Sequence, residues 1–562
     1  MQRIAESAIP TSIPAADALT IFRQYPPKTT DGKAIQAAAM LTTNQRQMAI
    51  SKIRQIWIEG NFTKVREQFF YKKHRTHLSS EDHLQRMDRL LWEGKYWPVR
   101  RHLWHVPKDY RKLAEARISL RVRRGNVDKL IEQVPKSYAD DAGLLYERLR
   151  WRRKKGKDSV FELLSKIPDN PPYPEKWWDE RSTLVRKALN KGHITEAYKI
   201  ASRHGLPIGA DYAEAEWLAG WISHSSLNDY DVAVKHFTNM YNSVRYPVSL
   251  ARGGYWVGRA IEAQGDIEKA KVWYSKAASF INTYYGQLAS LKLDPSGNMA
   301  LDDEPAFSEN ENKEFQSHEL VKVVRMLAQY GGNELIKPFI LKLRAHSKTA
   351  GWQVLCAKLA RESGRTDLSV SVAKLAMRSS LFLPVSGYPI INLPPLPKRA
   401  KQPQPEPPLV HALIRQESLF RIDAISRAKA RGLMQLMPRT ASNVAKGLKI
   451  RYTPKKLLTD KAYNTTLGQA YLAQMIDKFN GSYVLSLAAY NAGPHRANQW
   501  IKLNGDPRDP DVDTVDWIEM IPFYETRNYV QRVLENLQIY RMRMANTEVA
   551  LSLDQDLNHK DN

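Results

Sequence analysis

The sequence predicts an all-α protein: an N-terminal α-solenoid of helical hairpins, a small helical linker domain and a C-terminal α-helical domain. Three observations predict it. A glycine, or an asparagine in its place, ends one apolar helical segment before the next at Gly60, Gly94, Gly125, Gly156, Gly192, Asn228 and Gly265, at intervals of 34, 31, 31, 36, 36 and 37 residues. The period-2 alternation of a half-buried strand is nowhere visible. Residues 394–408 place seven prolines in fifteen positions, a run that is extended and interrupts the helical text once and sharply.

Taken in order, 562 residues are too many for one core and imply three or four domains. Residues 1–43 form an N-terminal extension. Residues 44–293 carry the recurring device: glycine permits the left-handed conformation that ends a helix, and asparagine is its usual substitute. A period in the thirties with two helices per unit describes hairpins that bury their apolar faces only against their neighbours. The segment FINTYYGQLASLKL, 280–293, closes the array. A weakly hydrophobic loop follows at 294–314, helical text resumes over 315–377 with another such glycine at Gly364, and 294–393 is read as the linker domain. The proline run opens the last domain, 394–546, and the polar tail 547–562 is expected to fray.

Hydrophobic residues at 43 % suffice for packed cores and exclude general disorder. A net charge of +26 calls for an anionic partner, which charge alone does not choose among nucleic acid, lipid and acidic polymer. The sharpest run, residues 100–160, has 18 basic and 8 acidic side chains, read either as solvated helix faces or as a binding surface. No groove-reading or stacking motif accompanies it, so nucleic acid is not expected as a partner. The single cysteine, Cys356, excludes an internal disulfide and a cysteine metal site and reads as a small buried hydrophobe. No apolar stretch is long enough to span a bilayer. With no His–Glu zinc pattern, phosphate loop or dinucleotide fingerprint, neither metal nor cofactor is expected.

The chemistry is expected at residues 409–440, LVHALIRQESLFRIDAISRAKARGLMQLMPRT. If 409–419 is helical, Val410, Leu413, Ile414 and Glu417 share one face. Glu417 then continues an apolar ridge, where lost hydration raises a carboxyl pKa by up to a few units. Such a group donates protons near neutral pH, as a general acid must. The competing reading is a glutamate at the edge of a core helix with its head in water.

The surrounding blocks decide between them. RQES at 415–418, Ser426, GLMQLMP at 432–438, AAYNAGP at 488–494 and IPFYETRNYV at 521–530 stand in one order over about 115 residues. Together they resemble the soluble lytic transglycosylases, bacterial enzymes that cut peptidoglycan glycan strands with a goose-type-lysozyme-like catalytic domain. YYGQLA, near the end of the array, resembles a segment of the same enzymes. The resemblance implies that 394–546 is a lysozyme-like catalytic domain, that peptidoglycan is the partner, and that the basic solenoid guides glycan strands. It also implies a periplasmic location, although the first 30 residues show no apolar core of an export signal.

By the same resemblance Glu417 is the catalytic residue. Ser426, Gln435 and Met437 fall on glycan-contacting positions, Tyr490 and Asn491 on the block beside the catalytic acid, and Glu525 and Tyr529 on the border of the groove. Each has a plainer reading: Met434 and Met437 as a core pair, Tyr490 as a buried tyrosine with a satisfied hydroxyl, Glu525 as a surface partner of Arg527 or Arg532. A two-carboxylate glycosidase spaces its acids by roughly 5 to 9.5 Å. Here Asp423, six residues beyond Glu417, falls in a loop and matches no functional position. One carboxyl suffices if the sugar's own 6-hydroxyl attacks and closes a 1,6-anhydro ring, because intramolecular attack needs no base to hold a water. The chain departs from the family pattern at Arg421-Ile422 in place of Asn/Asp-Pro, Arg427 in place of proline, and Lys429 in place of glycine; these changes add positive charge beside the groove. Two other functions remain: a muramidase that uses water on the same fold, and a basic helical scaffold with a vestigial catalytic domain.

Overall fold

Residues 2–43, 45–168, 170–299, 301–545 and 549–558 are described by a computed structural model. Among them the regular structure is helical apart from two short strands, Asn298–Met299 and Val549–Ala550, paired antiparallel. The all-α prediction therefore holds. Among the described residues no helix is long and apolar enough to cross a membrane. The chain divides into two compact units, Met1–Leu184 and Val185–Asn562, and the division falls inside the helix Pro174–Asn190, within the stretch read from sequence as one array.

In the first unit successive helices pair through buried large side chains: Ile53, Trp57 and Phe70, then Met87, Leu90 and Ile118, then Leu149 and Trp177. The segment 1–43 is itself helical, and Ala18, Phe22, Ile35 and Ala39 form a core there. Much of the basic run is occupied inside this unit. Arg117 is buried and meets Asp88 at 2.8 Å, Arg121 meets Glu147 at 2.5 Å, and Arg153 meets Glu180. These cations join one helix to the next.

Of the eight predicted helix-ending positions, seven have positive φ: Gly94, Gly125, Gly156, Gly192, Asn228, Gly265 and Gly364. Gly60 is the exception, with φ −72°. It is required for another reason: a Cβ there would lie 2.4 Å from the Ile56 carbonyl oxygen and 2.8 Å from the Phe62 ring.

In the second unit the hairpins continue through Ala210–Ser225, Tyr230–Ser243, Pro247–Ala263, Ile267–Ala278 and Tyr284–Leu293, with Trp217, Phe237 and Trp256 buried. Helices from Glu309–Ser317 to Thr366–Ala376 enclose a separate core of Phe315, Trp352, Leu355, Cys356 and Val372. Burial pushes the Cys356 thiol well above its ordinary range, as befits a small hydrophobe.

Two expectations need correction. The proline run does not end before the helix; the helix Pro407–Ser418 begins on its last two prolines, because first-turn amides have no intrahelical acceptor to lose. Nor does the tail fray over 549–558. Val549–Ala550 pairs with Asn298–Met299, Leu553 and Leu557 are buried, and Asp556 meets Arg541 at 2.8 Å. Arg541 also holds Glu406 at 2.6 Å, which fastens the tail to the start of the last domain.

Candidate active site

The helix Pro407–Ser418 buries Leu409, Val410, Leu413 and Ile414, and Glu417 extends their ridge. It ends abruptly: Leu419 and Phe420 both take left-handed conformations, φ 52° and 67°. Two successive non-glycine residues there are strained by roughly 1–2 kcal/mol each, a pattern that clusters at functional sites.

Glu417 keeps part of its surface open while protein surrounds the rest. Burial pushes its carboxyl up to about 8; the Tyr529 hydroxyl opposes this by favouring the carboxylate, and the negative charge of Glu525 adds to the rise. Tyr529 and Glu525 stand one turn apart on the helix Tyr524–Ala545, so one face of that helix addresses Glu417 with both. The Tyr529 oxygen is buried, and no contact, including the one to Glu417, reaches regular hydrogen-bond geometry. Glu525 is exposed and has no ion pair among the described residues. Arg527 turns to Glu519 at 3.3 Å and Arg532 to Glu535, so the surface-pair reading of Glu525 does not hold.

Tyr490, on Tyr483–Ala492, is 9 % exposed and donates its hydroxyl to the Met434 carbonyl oxygen at 2.8 Å. Burial, then the Glu417 charge, pushes its phenol far up, which places it beside the acid. Its hydroxyl is satisfied, as the plainer sequence reading has it. Asn491 accepts from the Thr526 hydroxyl at 2.7 Å and ties its helix to the one bearing Tyr529.

Ser426, Gln435 and Met437 lie on the loop 421–437. Ser426 Oγ accepts from the Ala430 amide at 3.0 Å, leaving its own proton available. The Gln435 side-chain amide donates to the carbonyls of Gly432 at 2.8 Å and Ala424 at 3.1 Å, so its nitrogen braces the loop and its oxygen is the remaining polar group. The methionine pair separates: Met434 is fully buried, Met437 is 44 % exposed. Asp423 is held by Arg421 at 2.7 and 3.0 Å, which keeps its carboxyl below the usual range.

Two residues were missed. Asn464, fully buried on Lys461–Lys478, accepts from the Met434 amide at 2.9 Å and donates to the Arg431 and Leu457 carbonyls at 3.1 and 3.0 Å. One turn on, a Cβ at Gly468 would lie 2.2 Å from Met434 Sδ. The loop thus rests on an Asn-x-x-x-Gly face, a spacing legible in NTTLG at 464–468. Tyr471, half-buried on the same helix, lies 5.1 Å from the Tyr490 ring and contributes to the raised phenol of Tyr529. Glu417, Tyr471, Tyr490, Glu525 and Tyr529 therefore form one electrostatic neighbourhood.

Residues 395–511 match the transglycosylase SLT domain, and 520–548 match the soluble lytic transglycosylase helical domain. A soluble lytic murein transglycosylase of Escherichia coli is 38 % identical over 142 residues, 25 % of this chain and 21 % of that protein. A putative soluble lytic murein transglycosylase of Haemophilus influenzae is 30 % identical over 292 residues, 50 % of this chain and 45 % of that one. The matched part spans from about a fifth to less than half the length of these relatives. Among solved structures, an inactive mutant of lytic transglycosylase Slt from Pseudomonas aeruginosa superposes with TM-score 0.73 at 20 % identity, covering 95 % of this chain and 85 % of that one. The 70-kDa soluble lytic transglycosylase of E. coli does so with TM-score 0.58 at 20 % identity, covering 96 % and 85 %. Residues 395–511 therefore belong to the transglycosylase SLT domain family, in a chain with the all-α fold of the soluble lytic transglycosylases.

Proposed function

We propose that this protein is a peptidoglycan lytic transglycosylase that breaks the β-1,4 bond between N-acetylmuramic acid and N-acetylglucosamine and leaves 1,6-anhydro-muramic ends. One observation carries the reading: Glu417 extends the buried apolar ridge of its helix, where burial pushes its carboxyl up to about 8 and so favours a proton on it at neutral pH. In the first step that proton passes to the glycosidic oxygen, the C1–O bond breaks, and positive charge develops on the sugar ring. The new Glu417 carboxylate then takes the proton of the 6-hydroxyl as that oxygen bonds to C1. Atoms balance without water, and Glu417 ends as it began. The N-acetyl group of the sugar is the electron-rich neighbour of the developing cation.

Ser426, with a free hydroxyl proton, and Gln435, with a free carbonyl oxygen, supply a donor and an acceptor on the loop; Met437 offers apolar surface. Tyr529 tunes the acid and Tyr490 holds the loop beside it, while Asn491 and Glu525 border it. The site is proposed to work in the periplasm, where peptidoglycan lies. Mass spectrometry of muropeptides released from purified sacculi tests the reading: anhydro ends support it, and loss of release in Glu417→Gln is expected. A Glu417→Gln variant with full biological activity would instead favour the scaffold.

A second reading rests on Glu525, whose exposed, unpaired carboxylate lies within electrostatic reach of Glu417. If Glu525 holds a water, the enzyme is a muramidase, and its products carry reducing ends.

A further inference from the structure

In the first unit the helix Tyr96–His102, continued by the tighter turn Leu103–His105, buries Val99, His102 and Leu103. Positions three, four and seven apart share a face, so Trp97, Arg100, Arg101 and Trp104 line the opposite stripe. Trp97 is 70 % and Trp104 77 % exposed, whereas ten of the fourteen tryptophans in the chain are buried. Tryptophan has more to gain from burial than almost any other side chain. Two of them on the outward stripe of one short helix do not serve the core of this unit.

Both rings are held in place. Arg111, on the helix Lys108–Val122, donates to the Leu103 carbonyl at 3.0 Å and lays its guanidinium 4.3 Å from the centre of the Trp104 ring. Tyr96 stands edge-on to Trp97, with ring centres 5.1 Å apart. The charge around them has one sign. Residues 95–112 carry six Lys or Arg and one acidic residue, Asp109. Among the described residues Arg101 alone of the six has a carboxylate partner, Glu67 at 2.5 Å, and Glu67 is shared with Arg86 at 2.8 Å. Arg100 and Lys108 are exposed.

We propose that this face seats the protein on the surface of an anionic phospholipid bilayer, with Trp97 and Trp104 in the headgroup layer and Arg100 and Lys108 against lipid phosphates. Indole rings favour that layer, where their apolar body and polar N–H are both accommodated, and unpaired cations beside them are drawn to anionic lipid over a Debye length. Shape favours a lipid surface over an acidic strand. The residues stand on the convex side of a helix, Arg111 covers one face of Trp104 and Tyr96 abuts Trp97, so neither ring is the bare platform on which successive bases stack. The inference goes beyond the proposed reaction and does not rest on it.

The test mixes the full chain with phosphatidylcholine vesicles, with and without phosphatidylglycerol, from about 20 to 300 mM NaCl, and reads binding by co-sedimentation. Wild type is expected to bind the phosphatidylglycerol vesicles at least about tenfold more tightly at low salt, and to lose that preference as salt rises. Bromine-labelled acyl chains in the same vesicles are expected to quench part of the tryptophan fluorescence, and that part should vanish in Trp97→Ala/Trp104→Ala. Arg100→Glu/Lys108→Glu should abolish the preference for phosphatidylglycerol. All four side chains face solvent, so the thermal midpoint of either variant should match wild type. Equal binding of wild type to both vesicles, or sedimentation without quenching, overturns the inference however the variants fold. So does a folded tryptophan variant that keeps the quenching. Equally tight binding to single-stranded DNA or to sacculi, lost in the same variants, also overturns it, because the face then stacks on a polymer.

Discussion

Tyr490 donates its hydroxyl to the carbonyl oxygen of Met434 at 2.8 Å, across 56 residues of sequence. The phenol beside the candidate acid is thereby committed to the loop that carries Gln435. In the proposed reaction Tyr490 would act through the position of that loop.

Tyr490→Phe removes this donor and leaves a buried carbonyl unpaired, at a cost of about 1–3 kcal/mol. The thermal midpoint is expected to fall by several degrees and kcat/KM to drop, because the loop loses its tether. The upper limb of the pH–rate profile should stay near 8, since Tyr490 is not among the groups that set the Glu417 pKa. A moved limb would show that the phenol touches the acid chemically.

Glu417 makes a stability prediction of definite sign. Its folded pKa of about 8 lies above its ordinary 4.5, so between those values the folded state keeps a proton that the unfolded state has released. Stability contributed by this group therefore falls as pH rises from 4.5 to 8. Glu417→Gln, which cannot ionise, is expected to match wild type at pH 4 and to unfold at a higher temperature than wild type at pH 9. Calorimetry at the two pH values checks it, and equal shifts at both would mean that Glu417 is not desolvated.

Asn464 gives the loop its seat. Asn464→Ala leaves the Met434 amide and the Leu457 carbonyl unpaired, while the Arg431 carbonyl keeps the Leu436 amide; at about 1–3 kcal/mol for each buried group the loss should reach about 2 kcal/mol or more in denaturant unfolding. Asn464→Asp keeps the acceptor but sets a negative charge against the Arg431 and Leu457 carbonyls, so it should be less stable than the alanine variant at neutral pH and recover in acid.

Much of this was legible in the sequence. The apolar spacing Val410, Leu413, Ile414, Glu417 is a local pattern, and it placed the acid on a buried ridge before any contact was known. The helix-ending glycines were legible for the same reason, because a left-handed residue is a property of one position. Gly60 escaped that logic: its requirement comes from the Ile56 carbonyl and the Phe62 ring crowding it. Asn464 and Tyr471 escaped because a polar residue in a helix does not announce which distant backbone it serves. Their partners are 30 and 19 residues away. The tail 549–558 reads as polar, yet Asp556 is held by Arg541, a pairing that composition cannot show.

Glu519 is fully buried; it accepts from Gln531 at 2.8 Å, from Arg252 at 3.2 Å and from the Tyr285 hydroxyl, and pairs with Arg527 at 3.3 Å. Burial alone would raise its carboxyl; Arg252 and Arg527 outweigh that and hold it below 4.5. Glu519→Gln removes the carboxylate that the two guanidinium groups share and leaves them Glu214, at 2.9 Å from Arg252 and 3.8 Å from Arg527; breaking a buried pair costs up to about 3–5 kcal/mol. Because the folded pKa is depressed, the wild-type advantage over the variant is present above pH 4.5 and lost as pH falls through the folded value. Urea unfolding at pH 7 and pH 3 checks the sign.

Glu525 separates the two chemistries proposed for the site. Its negative charge helps raise the Glu417 pKa, so Glu525→Gln should lower the upper limb of the pH–rate profile. If the 6-hydroxyl is the nucleophile, no second base is needed; the variant then keeps most of its kcat at pH 6, and its products still carry anhydro ends. If Glu525 activates a water, the same substitution removes a general base, typically about 10²- to 10⁴-fold in rate, and the wild-type products carry reducing ends. Glu525 is exposed and makes no ion pair among the described residues, which leaves its carboxylate available for either role, whereas only a protonated Glu417 can start the reaction in both. Rate and product ends measured on the same digest of Glu525→Gln discriminate, because a tenfold or smaller loss with anhydro ends is incompatible with a base at that position.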